Sequence, residues 1–213
     1  MNALGMLEVY SFTTAVCAAD IAAKAANVKV IAFDRTRPGS ADVPAPLVMQ
    51  MKIEGDNASV KAAIDASKAY AEKEGMYIIS SVISRPGFEM EKMGYLLDIN
   101  KDKYNKKLPK TFFEREYEVP KVDFAIGLLE VSGLVAAITG LDAMTKAANV
   151  RLIHSEKRLG GRLVTLIVKG SVSAVKAAIE AGAAAASPLG KIHGEAVIAN
   201  PHGEIMKFFD YEV

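Results

Sequence analysis

Short apolar runs alternating with helical stretches organise the chain. Ala3–Val9 is apolar except for Glu8 and predicts a strand. Phe12–Ala26 has the small and apolar spacing of a packed helix, with Thr13 and Thr14 as capping groups near its start. Asn27 reads as a left-handed stop before the strand Val28–Phe33. Asp34–Pro46 is rich in Pro, Gly, Ser and Asp and predicts a loop. Leu47–Ile53 returns as a strand, and Gly55-Asp56-Asn57 reads as a turn with an N-cap. Ala58–Glu74 predicts a helix that buries Val60, Ala63, Ile64 and Ala66 and exposes Lys61, Asp65, Lys68, Glu72 and Lys73. Gly75 ends it, and Met76–Ser84 predicts a strand.

The pattern then repeats, which divides the chain into residues 1–87, a connecting stretch 88–122, and residues 123–213. Ala3 matches Ala125, Glu8 matches Glu130, Asp20 matches Asp142, Lys24 matches Lys146 and Asn27 matches Asn149, all at an offset of 122. After the loop the offset is 115, pairing Gly55 with Gly170, Lys61 with Lys176, Gly75 with Gly190 and Pro86 with Pro201. The change of seven falls wholly inside the loop between the second and third strands. A retained frame with one altered loop places a functional site at that loop. Each copy reads strand–helix–strand–loop–strand–helix–strand, a ferredoxin-like α/β (α+β) arrangement. Residues 88–122 have no counterpart inside the second copy. They open on a helical pattern, Glu89–Leu97, and continue as a charged connector carrying Pro109, Pro120 and the basic run Lys101–Lys110.

Composition narrows the chemistry. A formal charge of +1 over 213 residues gives no bulk attraction to nucleic acid or to an anionic membrane. The N-terminus lacks a signal-peptide pattern, and the Ala-rich run Ala177–Ala186 is too short to span a bilayer. A single cysteine, Cys17, excludes an intrachain disulfide and a multi-cysteine metal site, and reads as a buried helix residue in a soluble, reducing-compartment protein. His154, His193 and His202 have no metal-ligand spacing. Neither a Ser–His–Asp order, nor a Walker A motif, nor a dinucleotide glycine pattern is present, so no catalytic set, metal or cofactor is predicted. Glu8 and Glu130 recur at equivalent positions and suit a structural role at a subunit seam.

The ALGMLEV and AIGLLEV openings, the D-x-x-x-K-A-A-N-V segments and the VKAAIEAGAAAA run resemble bacterial microcompartment shell proteins. The second copy is similar to the hexamer-forming type, and two copies in the ordinary domain order resemble the tandem-domain type. This resemblance implies two tandem ferredoxin-like shell domains in a non-enzymatic shell subunit of a bacterial cytoplasmic microcompartment. It implies a homotrimer shaped like a hexamer, tiled edge to edge with other shell proteins and available to encapsulated enzymes. It places Arg35, Thr36, Arg37, Pro38, Gly39 and Ser40 of the first loop, and Lys157, Arg158, Leu159, Gly160, Gly161 and Arg162 of the second, around a central pore. Backbone N–H groups and arginines there suit small polar or anionic metabolites. Lys24 and Lys146 take the edge position of the family, as does Arg85, where the second copy has Asn200. Cysteine-free loops count against an iron–sulfur cluster. An occluded tile or cargo dock, and a cofactor binder on the three-fold axis, stay open as alternatives.

Overall fold

A computed structural model describes residues 3–87, 121–156 and 162–209. The first copy runs β1 (Ala3–Tyr10), α1 (Phe12–Ala25), β2 (Lys29–Thr36), β3 (Val48–Gly55), α2 (Asn57–Lys73) and β4 (Tyr77–Ile83). The second runs β5 (Ala125–Ser132), α3 (Leu134–Ala147), β6 (Arg151–Glu156), β7 (Leu163–Gly170), α4 (Val172–Ala186) and β8 (Ile192–Ile198), followed by α5 (Gly203–Met206). Their antiparallel sheets have orders β2-β3-β1-β4 and β6-β7-β5-β8, the expected ferredoxin-like arrangement formed twice. Even the irregularities repeat: register shifts at Glu8/Val9 and Val30/Ala32 recur at Glu130/Val131 and Leu152/His154.

Local structure departs from the sequence reading at several points. β2 extends to Thr36, because Asp34, Arg35 and Thr36 still pair with Gln50, Met49 and Val48. Asp34 is buried in an ion pair with Lys52 rather than lying in a loop. The cap of α1 is Ser11, whose hydroxyl accepts from Thr14 N–H at 3.4 Å, and not Thr13 or Thr14. Asn27 is not left-handed; α1 ends on Ala26 in extended backbone. The Glu89–Leu97 pattern and the Lys101–Lys110 run lie outside the described residues.

Alternation along the strands decides which surfaces meet. One face of β5, with Ala125, Leu129 and Val131, packs on Ala136, Ala137, Met144, Val175 and Ile179 of its own helices. The other face carries Ile126 and Leu128, which join Ile167, Ile198 and the α1 residues Phe12, Val16 and Ala19 in a core shared by both copies. α1 therefore lies between its own sheet and the sheet of the second copy. Close helix–sheet packing rests on Gly5 and its twin Gly127. A Cβ at Gly5 would stand 2.8 Å from Val60 and Ile64, and one at Gly127 would stand 2.6 Å from Val175.

Candidate functional site

Where α1 meets the second sheet, a carboxylate is buried. Glu130 is fully enclosed, and its Oε2 accepts from the Thr13 N–H at 2.8 Å and the Ser11 hydroxyl at 3.0 Å. Those donors belong to the first turn of α1, where free N–H groups and the helix dipole favour negative charge. Burial nevertheless pushes the Glu130 carboxyl above the usual range, with the Thr13 and Ser11 hydrogen bonds opposing it. Ser11 has φ 74 and ψ 138, a conformation rare for a residue with a side chain. Such strain costs about 1–3 kcal/mol, and the hydroxyl's bond to Glu130 offsets it. The twin position holds Gly133 at φ 102, without the hydroxyl. Gly194 of β8 completes this seam, since a Cβ there would stand 2.8 Å from the Thr13 side chain.

The loops between second and third strands are anchored alike in both copies. Ser11 N–H donates to the Leu47 carbonyl at 3.2 Å, and Gly133 N–H donates to the Arg162 carbonyl at 2.8 Å. Leu47 and Arg162 are twins, so each loop's C-terminal foot is tied to the turn before a helix. Of the pore residues named from sequence, Arg35 and Thr36 lie at the end of β2, while Arg37, Gly39 and Ser40 are exposed and Pro38 is half-buried. Asp42 N–H donates to the Ser40 hydroxyl at 3.1 Å, and Ala45 is buried. The first loop thus leans on the protein. Its Pro44 carbonyl faces His193, whose Nε2 lies 2.9 Å from the Ser132 hydroxyl. Burial, then Lys191, lowers the proton affinity of His193. Residues 157–161 lie outside the described residues; Arg162 is exposed at φ 64.

The edge positions divide between two places. Lys24 binds Asp20 at 2.6 Å and Lys146 binds Asp142 at 2.7 Å, so within the chain each ammonium meets a carboxylate one turn away. Asn200 is brought beside the first of these pairs, because the His202 N–H donates to Asp20 Oδ1 at 2.7 Å. Arg85 is exposed after β4. Sequence reasoning missed this tail contact and missed Glu204, whose Oε2 accepts from Val30 N–H at 2.8 Å. One available signal was the offset of 115, which continues past Pro86 to match Glu89 with Glu204 and Lys92 with Lys207. The start of residues 88–122 therefore does have a counterpart in sequence.

Cys17 is buried, and burial raises its thiol to about 11, which leaves it inert as expected. Among the described residues no group of His, Cys, Asp and Glu is arranged to hold a metal ion. No helix among them is long and apolar enough to cross a membrane.

Comparison with known proteins gives one answer. The family described as BMC domain matches twice, over residues 3–86 and 125–201. The carboxysome assembly protein CcmO of Synechococcus elongatus is 33% identical over 205 residues, covering 96% of this chain and 67% of CcmO. The bacterial microcompartment shell protein PduA of Citrobacter freundii is 52% identical over 83 residues, covering 39% of this chain and 88% of PduA. The shell protein EutM of Escherichia coli K12 is 48% identical over 85 residues, covering 40% of this chain and 87% of EutM.

Proposed function

This chain belongs to the BMC domain family as a tandem microcompartment shell protein, not an enzyme, and on that premise we propose that three chains close into a six-domain ring. One observation carries the proposal: the seam inside the chain has an uncovered twin. Phe12, Thr13 and Val16 are 0, 3 and 0% exposed, whereas their twins Leu134, Val135 and Ile138 are 58, 71 and 60% exposed. The complementary half is open too. In β1 Met6 and Glu8 are half-buried, while in β5 their twins Leu128 and Glu130 are enclosed. Ile79 on β4 is 57% exposed at the place of Gly194.

Joining these two faces between chains repeats the internal seam. Such head-to-tail contacts either close into a ring or run on as a filament. Six similar domains per ring make the closed form a pseudohexamer that can tile with hexamer-forming shell proteins. Glu8, which in the single chain accepts from Gln50 Nε2 at 3.0 Å, then meets the first turn of α3 in a neighbour. Arg85 comes beside the neighbour's Lys146 pair, as Asn200 comes beside Lys24 within the chain. Edges of two kinds alternate around the disc and meet other shell proteins, and one face lies against the enclosed enzymes.

The two anchored loops, residues 37–46 and 157–162, then surround the axis in alternation. Arginines and exposed backbone N–H groups there favour small polar or anionic metabolites. Arg35 and Thr36, at the end of β2, set the rim of this opening. Cryo-electron microscopy of the purified chain tests the arrangement. The reading requires both loop types at the axis; a ring with these loops on its outer edge would refute the pore.

A further inference from the structure

A groove of about 480 Å³ runs between α4 and β8 of the second copy. Lys176, Ile179, Glu180 and Ala183 form one wall, at positions i, i+3, i+4 and i+7 of the helix, which puts them on a single stripe. Glu195 and Val197 of β8 stand opposite. The floor is apolar, with Ile179 5% exposed and Ala183 and Val197 half-buried. Lys176, Glu180 and Glu195 are exposed on the rim. β8 is also an edge strand, and among the described residues its outer edge has no partner strand.

The first copy fills the same place with its own side chains. Lys68 holds the position of Ala183 and reaches from α2 across to β4, where its Nζ lies 5.4 Å from the centre of the Tyr77 ring. Ser80 holds the position of Glu195, and its hydroxyl lies 3.1 Å from that of Tyr77. The rim charge is reversed as well. Lys61, Lys68 and Asp65 give the first copy two cations and one carboxylate, whereas the second has one lysine and two carboxylates. Both α2 and α4 pack on elements of their own copies, so a ring that repeats the internal seam leaves the groove open.

We propose that this groove docks an extended segment of a partner protein in which lysine or arginine alternates with apolar residues, one segment per chain. The segment adds a strand to the free edge of β8, whose outward N–H and C=O groups lack partners. Alternate side chains of an added strand point to one face, about 7 Å apart. Their aliphatic stems cover Ile179, Ala183 and Val197, and their cationic heads reach Glu180 and Glu195. Lys176, one turn before Glu180, repels a further basic residue there and so fixes where along the groove the cations sit.

Fluorescence anisotropy of a labelled heptapeptide alternating arginine and valine, titrated with the full chain, tests it. Saturation is expected at one peptide per chain. The peptide with glutamate for arginine, or with an N-methylated backbone, is expected not to bind. Ala183→Lys, which copies Lys68, should abolish binding, and Glu195→Ser, which copies Ser80, should weaken it about two- to fivefold, the range of one exposed ion pair. Native mass is read on the same samples, so that a lost ring is told apart from a lost groove. Absence of binding to the parent, or equal binding to the parent and Ala183→Lys, overturns the docking site and leaves the ring intact. Equal binding of the N-methylated peptide overturns docking by strand addition.

Discussion

Val135→Asp places a carboxylate at the centre of the exposed α3 face. A fully buried aliphatic side chain contributes about 1.5–3 kcal/mol. With 58, 71 and 60% of Leu134, Val135 and Ile138 still open, covering all three is worth about 3–6 kcal/mol per interchain seam. Removing Val135 forfeits about 1–2 kcal/mol of that. Enclosing an unpaired carboxylate next to Ile79 adds a penalty of several kcal/mol on its own. A net loss of at least about 3 kcal/mol weakens each seam more than a hundredfold. Size-exclusion chromatography with light scattering should therefore show a single chain at micromolar concentration, where the parent is a ring. Circular dichroism should show an unchanged fold, since position 135 faces away from its own core. Val135→Thr, which copies Thr13, should remain a ring, as should Lys61→Asp on the exposed side of α2. A Val135→Asp protein that stays a ring over the parent's concentration range would remove α3 from the interface and defeat the reasoning.

Three further outcomes are expected. Gly127→Ala forces a methyl against Val175 at 2.6 Å and Ile179 at 2.7 Å; overpacking of this kind costs about 1–3 kcal/mol, and thermal melting should fall by at least about 3 °C. Glu130→Gln tests the buried carboxyl. Its folded proton affinity is raised, so the native state holds more protons than the unfolded chain once pH passes the ordinary carboxylate range, and parent stability declines as pH rises through the raised value. Urea unfolding from pH 4 to 8 should show that decline lessened in the glutamine variant; parallel pH profiles would contradict it. Arg37→Gln with Arg158→Gln should slow passage of small anions into reconstituted shells and leave neutral solutes of equal size unaffected, as read by enclosed-enzyme turnover.

The repeat made most of the fold legible. The short apolar runs Ala3–Val9 and Ala125–Val131 showed the strands, and the shift of offset isolated the loop. What stayed hidden depends on surfaces brought together from distant positions. Glu8 and Glu130 look alike in sequence, but Glu130 meets Ser11 and Thr13 while Glu8 meets Gln50. Nor did Ser11 stand out in sequence, because the Glu130 carboxylate that accepts its hydroxyl lies 119 positions away. Asp34 read as a loop residue because the Pro and Gly that follow it dominate local composition, whereas Lys52 on the adjacent strand fixes it in β2. The tail escaped because His202–Phe209 is short and lacks periodicity; its meaning comes from Asp20, Val30 and Phe33.

In the proposed ring, further copies of the chain fill the exposed half-seams. Native mass spectrometry of the purified chain at micromolar concentration tests it most directly. Three times the 22.8 kDa chain mass is the predicted species. A species at one chain mass across that range would contradict it.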